Sequence, residues 1–292
     1  MKPAPFKYAA ARSLDEAISL IRRFGEDCRV IAGGQSLMAM MNLRTARPSV
    51  IVDIARIEEL GQWRKEPDGI VIGAMVRQRK LETDTELRAA LPLLADAVGS
   101  IGHVATRSRG TIVGSLCHAD PAAELPVCAV ALDATLVLQS KNGEREVPAA
   151  EFFKGVFTTN TRDDELVTAV RFPTPADRTL TAFDEIARRQ GDFAMVSTAC
   201  TARLDNTGAF EDVRLVFGGV GDIPVRATEA ERSLIGAKPD QECMTNAGII
   251  AAAALSPYDD IHATSQYRKS IAAVLTERVL QRTLDSSQEK AH

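Results

Sequence analysis

Two glycine-bearing bends, Ala32-Gly33-Gly34-Gln35-Ser36 and Thr111-Ile112-Val113-Gly114-Ser115, constrain this chain more than any other feature. Each is approached from an apolar or extended stretch, and they lie some eighty residues apart. A fold that uses both must bring distant segments together. Glycine lets the main chain come close to a phosphate and turn N–H groups toward it, because no Cβ blocks the approach or the unusual φ angles. Neither bend contains Lys or Arg. Amide dipoles and small hydroxyls, with Ser36, Thr111 and Ser115 as extra donors, are the expected means of holding a diphosphate. Taken alone, one such bend is more often a tight strand-to-helix turn than a ligand loop. The pair makes a cradle the stronger reading.

At 292 residues with 45% hydrophobic composition, the chain is long enough for two globular domains. A net charge of −4 without charge runs provides no basic field for a nucleic-acid backbone. The N-terminus lacks the apolar core of a signal peptide and no apolar run reaches bilayer length, so a soluble cytoplasmic protein is expected. Cys28, Cys117, Cys128, Cys200 and Cys243 are odd in number, scattered and without a Cys-x-x-Cys pair. Neither a disulfide framework nor an iron–sulfur or zinc site on this chain follows from them. The four histidines, His103, His118, His262 and His292, suggest no metal site. Gly218-Gly219-Val220-Gly221 fails the dinucleotide fingerprint, and neither a Walker lysine nor a Gly-x-Ser-x-Gly elbow is present.

Local patterns predict a mixed first part. Ser13-Leu14-Asp15-Glu16 has capping-box spacing ahead of an amphipathic helix that ends before Gly25. A strand over 29–32 then delivers the chain into the first bend, and a helix begins at Ser36. Strands are expected at 50–54 and 70–74, a helix over 86–101 broken at Pro92, a hairpin around Lys141-Asn142-Gly143, and a strand at 166–172. Pro173-Thr174-Pro175 is the best boundary, dividing the chain into 1–175 and 176–292. Beyond it, strands at 183–189, 194–204 and 213–217 predict a three-stranded antiparallel sheet. Helices at 227–235, 243–255 and 265–284 follow, with a polar tail at the end. The class is α+β.

With these bends stand His118-Ala119-Asp120-Pro121-Ala122-Ala123-Glu124-Leu125-Pro126, Arg188-Arg189-Gln190-Gly191-Asp192-Phe193-Ala194 and Tyr267-Arg268-Lys269. In this order and spacing, over nearly the whole length, the chain resembles the FAD-binding medium subunit of the molybdenum hydroxylases, the family of carbon monoxide, quinoline, nicotine and xanthine oxidoreductases. The resemblance implies a two-part FAD-binding domain of the vanillyl-alcohol oxidase type, then a smaller C-terminal domain. It places FAD against Arg29, Val30, Ile31, Ala32, Gly33, Gly34, Gln35 and Ser36 on one side, and Thr111, Ile112, Val113, Gly114 and Ser115 on the other. Ile101, Val167, Glu124 and Phe193 complete the site, with Glu124 taking ribityl hydroxyls and Phe193 beside the flavin ring. Val113 stands where the family pattern usually has glycine, and Asp184 where some relatives carry lysine.

The implied function is electron transfer. Molybdenum cofactor would sit on a large partner subunit and [2Fe-2S] clusters on a small one, while FAD on this chain passes electrons to an outside acceptor. No catalytic side chain is expected here. Two other readings fit the residues: a self-contained FAD oxidase or reductase of the same architecture, and a nucleotide-binding module without redox chemistry. Glu124 and Asp120 each have a local reading too, as a helix-start acid and a turn residue.

Overall fold

A computed structural model describes residues 1–289. Of the polar tail expected after 284, residues 285–289 continue the last helix, and 290–292, including His292, lie outside the described residues. Three parallel strands, β1 (Lys7–Ala10), β2 (Cys28–Ile31) and β3 (Val50–Asp53), form the first sheet in the order β1-β3-β2, with helices α1 (Leu14–Phe24) and α2 (Leu37–Leu43) as connections. Ser13 Oγ caps α1 by accepting from the Glu16 N–H at 3.2 Å. The returning contact from Glu16 goes to the Arg12 N–H at 2.8 Å, one residue earlier than a capping box requires. Ala17, Ile18 and Ile21 carry the buried stripe of this helix.

An antiparallel sheet follows, ordered β4-β5-β10-β6-β7, from β4 (Trp63–Glu66), β5 (Gly69–Gly73), β6 (Thr135–Ser140), β7 (Gly143–Pro148) and β10 (Leu166–Pro173). Polar β4 is an edge strand without alternation, and for that reason the pattern does not mark it; β1, at the edge of the first sheet, is equally silent. The Asn142-Gly143 turn closes β6 on β7 with Gly143 at φ +118°, a backbone state that suits glycine. Between β5 and β6 run short helices: α3 (Lys80–Thr83), α4 (Thr85–Ala90), α5 (Pro92–Ala97), α6 (Val104–Arg109), α7 (Ile112–His118) and α8 (Glu124–Ala131). Pro92 opens α5 at its first turn, where a missing N–H costs nothing. A small excursion, α9 (Ala149–Phe152) with strands β8 (Phe153–Gly155) and β9 (Thr158–Thr159), precedes β10.

The last part contains an antiparallel sheet of β11 (Leu180–Ala187), β12 (Ala194–Leu204), β13 (Phe210–Gly218) and a two-residue β14 (Val225–Arg226). The fourth strand extends the expected three; two residues are too few to leave a periodic signal. Helices α10 (Thr228–Leu234), α11 (Gln241–Ala254) and α12 (Ser265–Glu289) complete the α+β chain. Residues 194–202 of β12 are buried on both faces, because α8 covers one side of the sheet and α12 the other. Phe183, Ala199 and Val216 join the core that runs through the first part, whereas α11 and α12 bury a second cluster with Val196, Leu215 and Phe217.

Candidate functional site

β2 points its C-terminal end at the first bend, and α6 hands the chain to the second. The two bends meet backbone to backbone: a Cβ on Gly33 would fall 2.8 Å from the Gly110 Cα and against the Arg109 carbonyl. No side chain fits between them. On Gly114, a Cβ would lie 2.5 Å from Thr111 Oγ1 and 4.0 Å from the Ala32 Cβ. The pairing of Gln78 N–H with Gly110 O at 2.9 Å and Ile112 N–H with Val76 O at 3.1 Å fixes the second bend to the segment leaving β5.

The bends form the floor of a cavity of about 670 Å³, within the roughly 300–1,000 Å³ of small-molecule and cofactor sites. Arg29 to Ser36, Thr111, Val113, Gly114, Ser115, Ile101, Glu124, Val167 and Phe193 all border it. Ile112 does not; it is fully buried in the core one position away. The Arg29 guanidinium bonds to the carbonyls of Glu26 and Cys28 at 3.1 and 2.7 Å, so it braces its own loop. Main-chain N–H groups of Gly33, Gly34, Gln35 and Ser36 make no hydrogen bond within the described residues. In the first turn of α7 the Gly114 N–H is taken by Thr111 Oγ1 at 3.0 Å, leaving the Val113 amide without a partner among the described residues. The departure from glycine at 113 thus preserves a free donor, with the isopropyl group packed in the core. Gly33 and Val113 are buried, Gly34 and Ser36 half-buried and Gln35 exposed; a run of N–H groups without protein partners beside a cavity can receive an anion.

Farther along the wall, Glu124 opens α8 and is 5% exposed. Desolvation, reinforced by Glu185 and Asp120, pushes its carboxyl up to about 8. Burial thus favours the neutral acid at this position, and hydrogen-bond donors beside it would favour the carboxylate. Asp120 Oδ1 accepts from the Ala122 N–H at 2.9 Å, a turn contact, while the residue also borders the cavity. Asp184 faces away, toward Arg278 and Arg282 of α12 at 3.8 and 3.9 Å.

Gly191, at φ +85°, presses on Gly102 and His103: an added Cβ would meet the Gly102 carbonyl at 3.1 Å. This contact delivers Phe193, 68% exposed, to the end of the cavity rather than to the core. Arg107 braces the same wall by donating to the carbonyls of Ile101 and Gly102 at 2.9 and 3.0 Å while paired to Glu82 at 2.9 Å. Beyond Phe193 a second cleft of about 870 Å³ opens, sharing Asp120, Phe157 and Gly191 to Phe193 with the first. Arg268 of α12 holds its side by bonding the Met195 and Gly219 carbonyls and Asp260.

Sequence reasoning missed Gln78, Phe157, Cys117 and, from the following stretch, Thr158, Thr159, Thr161, Arg162, Asp163 and Glu165, all on the cavity wall. None carries a glycine motif. Gln78 left one weak trace, a polar residue just after the apolar run at 70–76. Phe157 stacks near His118, ring centroids 4.9 Å apart, and its N–H bonds to the Ala119 carbonyl at 3.0 Å. Cys117 opens to the cavity yet is crowded by protein atoms, which raises its thiol to about 12 and makes it a poor nucleophile.

Comparison with known proteins matches residues 4–175 to the FAD binding domain in molybdopterin dehydrogenase and residues 181–283 to the CO dehydrogenase flavoprotein C-terminal domain. The chain is 39% identical to the 6-hydroxypseudooxynicotine dehydrogenase complex subunit alpha of Paenarthrobacter nicotinovorans, over 97% of this chain and 96% of that one. It is 37% identical to the glyceraldehyde dehydrogenase medium chain of Sulfolobus acidocaldarius, over 94% and 97%. Among solved structures, carbon monoxide dehydrogenase from Hydrogenophaga pseudoflava superposes with a TM-score of 0.94 at 35% identity, covering 98% of this chain and 99% of that one. Quinoline 2-oxidoreductase from Pseudomonas putida 86 superposes with 0.94 at 34% identity and the same coverage.

Proposed function

Because this chain belongs to the family of FAD-binding medium subunits of molybdenum hydroxylases, we propose that it carries FAD between the Gly33 and Gly114 bends and relays electrons for a multi-subunit hydroxylase. One observation supports this reading above the rest: two uncharged bends, backbone against backbone, surround a cavity with free main-chain donors. A diphosphate is the ligand part that such donors fit, with Ser36 and Ser115 hydroxyls beside them. Ribityl hydroxyls would donate to Glu124 and stabilise its carboxylate, so that its proton would be released to solvent. Phe193 and Phe157 would border the flavin end, where the second cleft leaves room for an acceptor to approach.

When bound, FAD supplies the ability to take electrons singly and release them as a pair. The chain's own residues bind it, orient it and exclude water from its buried face; no nucleophile or general base is required of them. In this reading the molybdenum cofactor belongs to a large partner subunit and the [2Fe-2S] clusters to a small one. That suits a chain whose cysteines are dispersed. Residues 1–175 make the cradle, and the part from 176 onward closes its flavin end through Gly191 to Phe193.

Expression together with the genes adjacent to its own, followed by native mass spectrometry and metal analysis, tests the proposal. Three polypeptides with flavin, molybdenum and iron are expected. Turnover of an organic substrate by the isolated chain would refute the subunit role, and purified protein without acid-releasable flavin would refute the cofactor.

A further inference from the structure

Gln78 is 5% exposed, borders the cofactor cavity and has no side-chain hydrogen bond among the described residues; its Oε1 is buried without a partner. Its position is unusual for a residue so idle. The main chain of Gln78 pairs with Gly110, and the carboxamide lies across the Gly110 α-carbon, where a Cβ would fall 2.6 Å from Oε1. Gly110 in turn touches Gly33. The amide thus stands directly behind the junction of the two bends, while the preceding side chain, Arg77, goes instead to the Arg109 carbonyl.

The atom buried without a partner is the acceptor Oε1; Nε2 has no hydrogen bond among the described residues either and is not among the buried unpartnered atoms, so the donor end of the amide is the one that opens on the cavity. Accepting the FAD reading above, the ligand segment at this junction is the diphosphate, which offers acceptors only. The complement a carboxamide has for an acceptor is its NH₂ group. We infer that Gln78 is a cofactor-binding side chain that donates Nε2–H to a diphosphate oxygen, with Oε1 lying against Gly110. It would supply, without net charge, the side-chain contact that a lysine supplies in other phosphate sites.

The test compares wild type, Gln78→Met and Gln78→Glu as cofactor-free protein, titrated with FAD, ADP and riboflavin. Met keeps the length and removes the orphaned polar group, so its urea midpoint should equal or exceed that of wild type. Its FAD and ADP affinities should fall about tenfold, the loss of one hydrogen bond to a charged acceptor. Riboflavin, which lacks phosphate, should bind all three proteins equally. Glu places a carboxylate beside the diphosphate and should bind FAD more weakly than Met does. Wild-type affinity for FAD in Gln78→Met, or in Gln78→Glu, would overturn the inference while leaving the FAD assignment intact. Failure of the wild-type protein itself to bind FAD would instead overturn the cofactor reading on which the inference rests.

Discussion

Glu124 makes the stability of the cofactor-free protein depend on pH in a direction that can be stated in advance. Its carboxyl is 5% exposed and raised to about 8 from the ordinary 4.5, first by desolvation and then by Glu185 and Asp120. Between those two pH values the folded chain holds a proton that the unfolded chain has released, so the unfolded state binds fewer protons and stability falls as pH rises. The contribution is fully present below about pH 4.5 and is lost as pH passes 8. At 1.36 kcal/mol for each tenfold change in proton affinity, the loss is on the order of 5 kcal/mol. The substitution Glu124→Gln would mimic the neutral acid at every pH. Glu185, raised to about 7 by burial, has the same sign and remains in both proteins, so the difference between them reports Glu124 together with its coupling to Glu185. Urea unfolding of cofactor-free wild type and Glu124→Gln between about pH 5 and pH 9 should show the two converging at the acid end, with the variant gaining on wild type toward the alkaline end. Parallel profiles would refute the buried, protonated Glu124. With FAD bound, the reading expects the wild-type slope to shrink, since ligand hydroxyls would then satisfy the carboxylate.

Gly33→Ala should separate the bends, at a cost of about 1–3 kcal/mol by overpacking, and should cut the flavin-to-protein ratio; Gly99→Ala, with nothing within 4 Å of the new Cβ, is the neutral control. Normal flavin content in Gly33→Ala would contradict the cradle. Thr111→Val removes the cap on the Gly114 N–H and should destabilise the protein by about 1 kcal/mol in thermal unfolding, and an unchanged midpoint would remove that role. Arg107→Met leaves the Glu82 carboxylate short of its main partner and frees the Ile101 and Gly102 carbonyls; a loss of about 3–5 kcal/mol is expected, and less than about 1 would show the clamp to be dispensable. Phe193→Ala, at an exposed position, should leave stability within about 0.5 kcal/mol yet change the rate at which bound flavin passes electrons to an external dye, and an unchanged rate would remove Phe193 from the flavin site.

Much of the fold is legible in local pattern. The cap at Ser13, the break at Pro92, the Asn142-Gly143 turn and the apolar alternation of the strand at 166–173 are interactions between near neighbours, and propensity and periodicity report those directly. Short or edge elements such as the strands at 7–10, 63–66 and 225–226 gain their stability from the sheets they join, so their own residues carry little signal.

The cofactor site divides along the same line. Glycines at 33, 34 and 114, with neither Lys nor Arg within the two bends, are local facts that allow a neutral, close-approach loop. That Gly33 rests on Gly110, that Gln78 lies idle behind their junction, that Glu124 is buried deeply enough to hold its proton, and that Gly191 swings Phe193 outward all depend on contacts between residues tens of positions apart. Desolvation and steric exclusion are properties of the surrounding volume. Sequence names the groups that can feel them; only the packed chain decides which groups do.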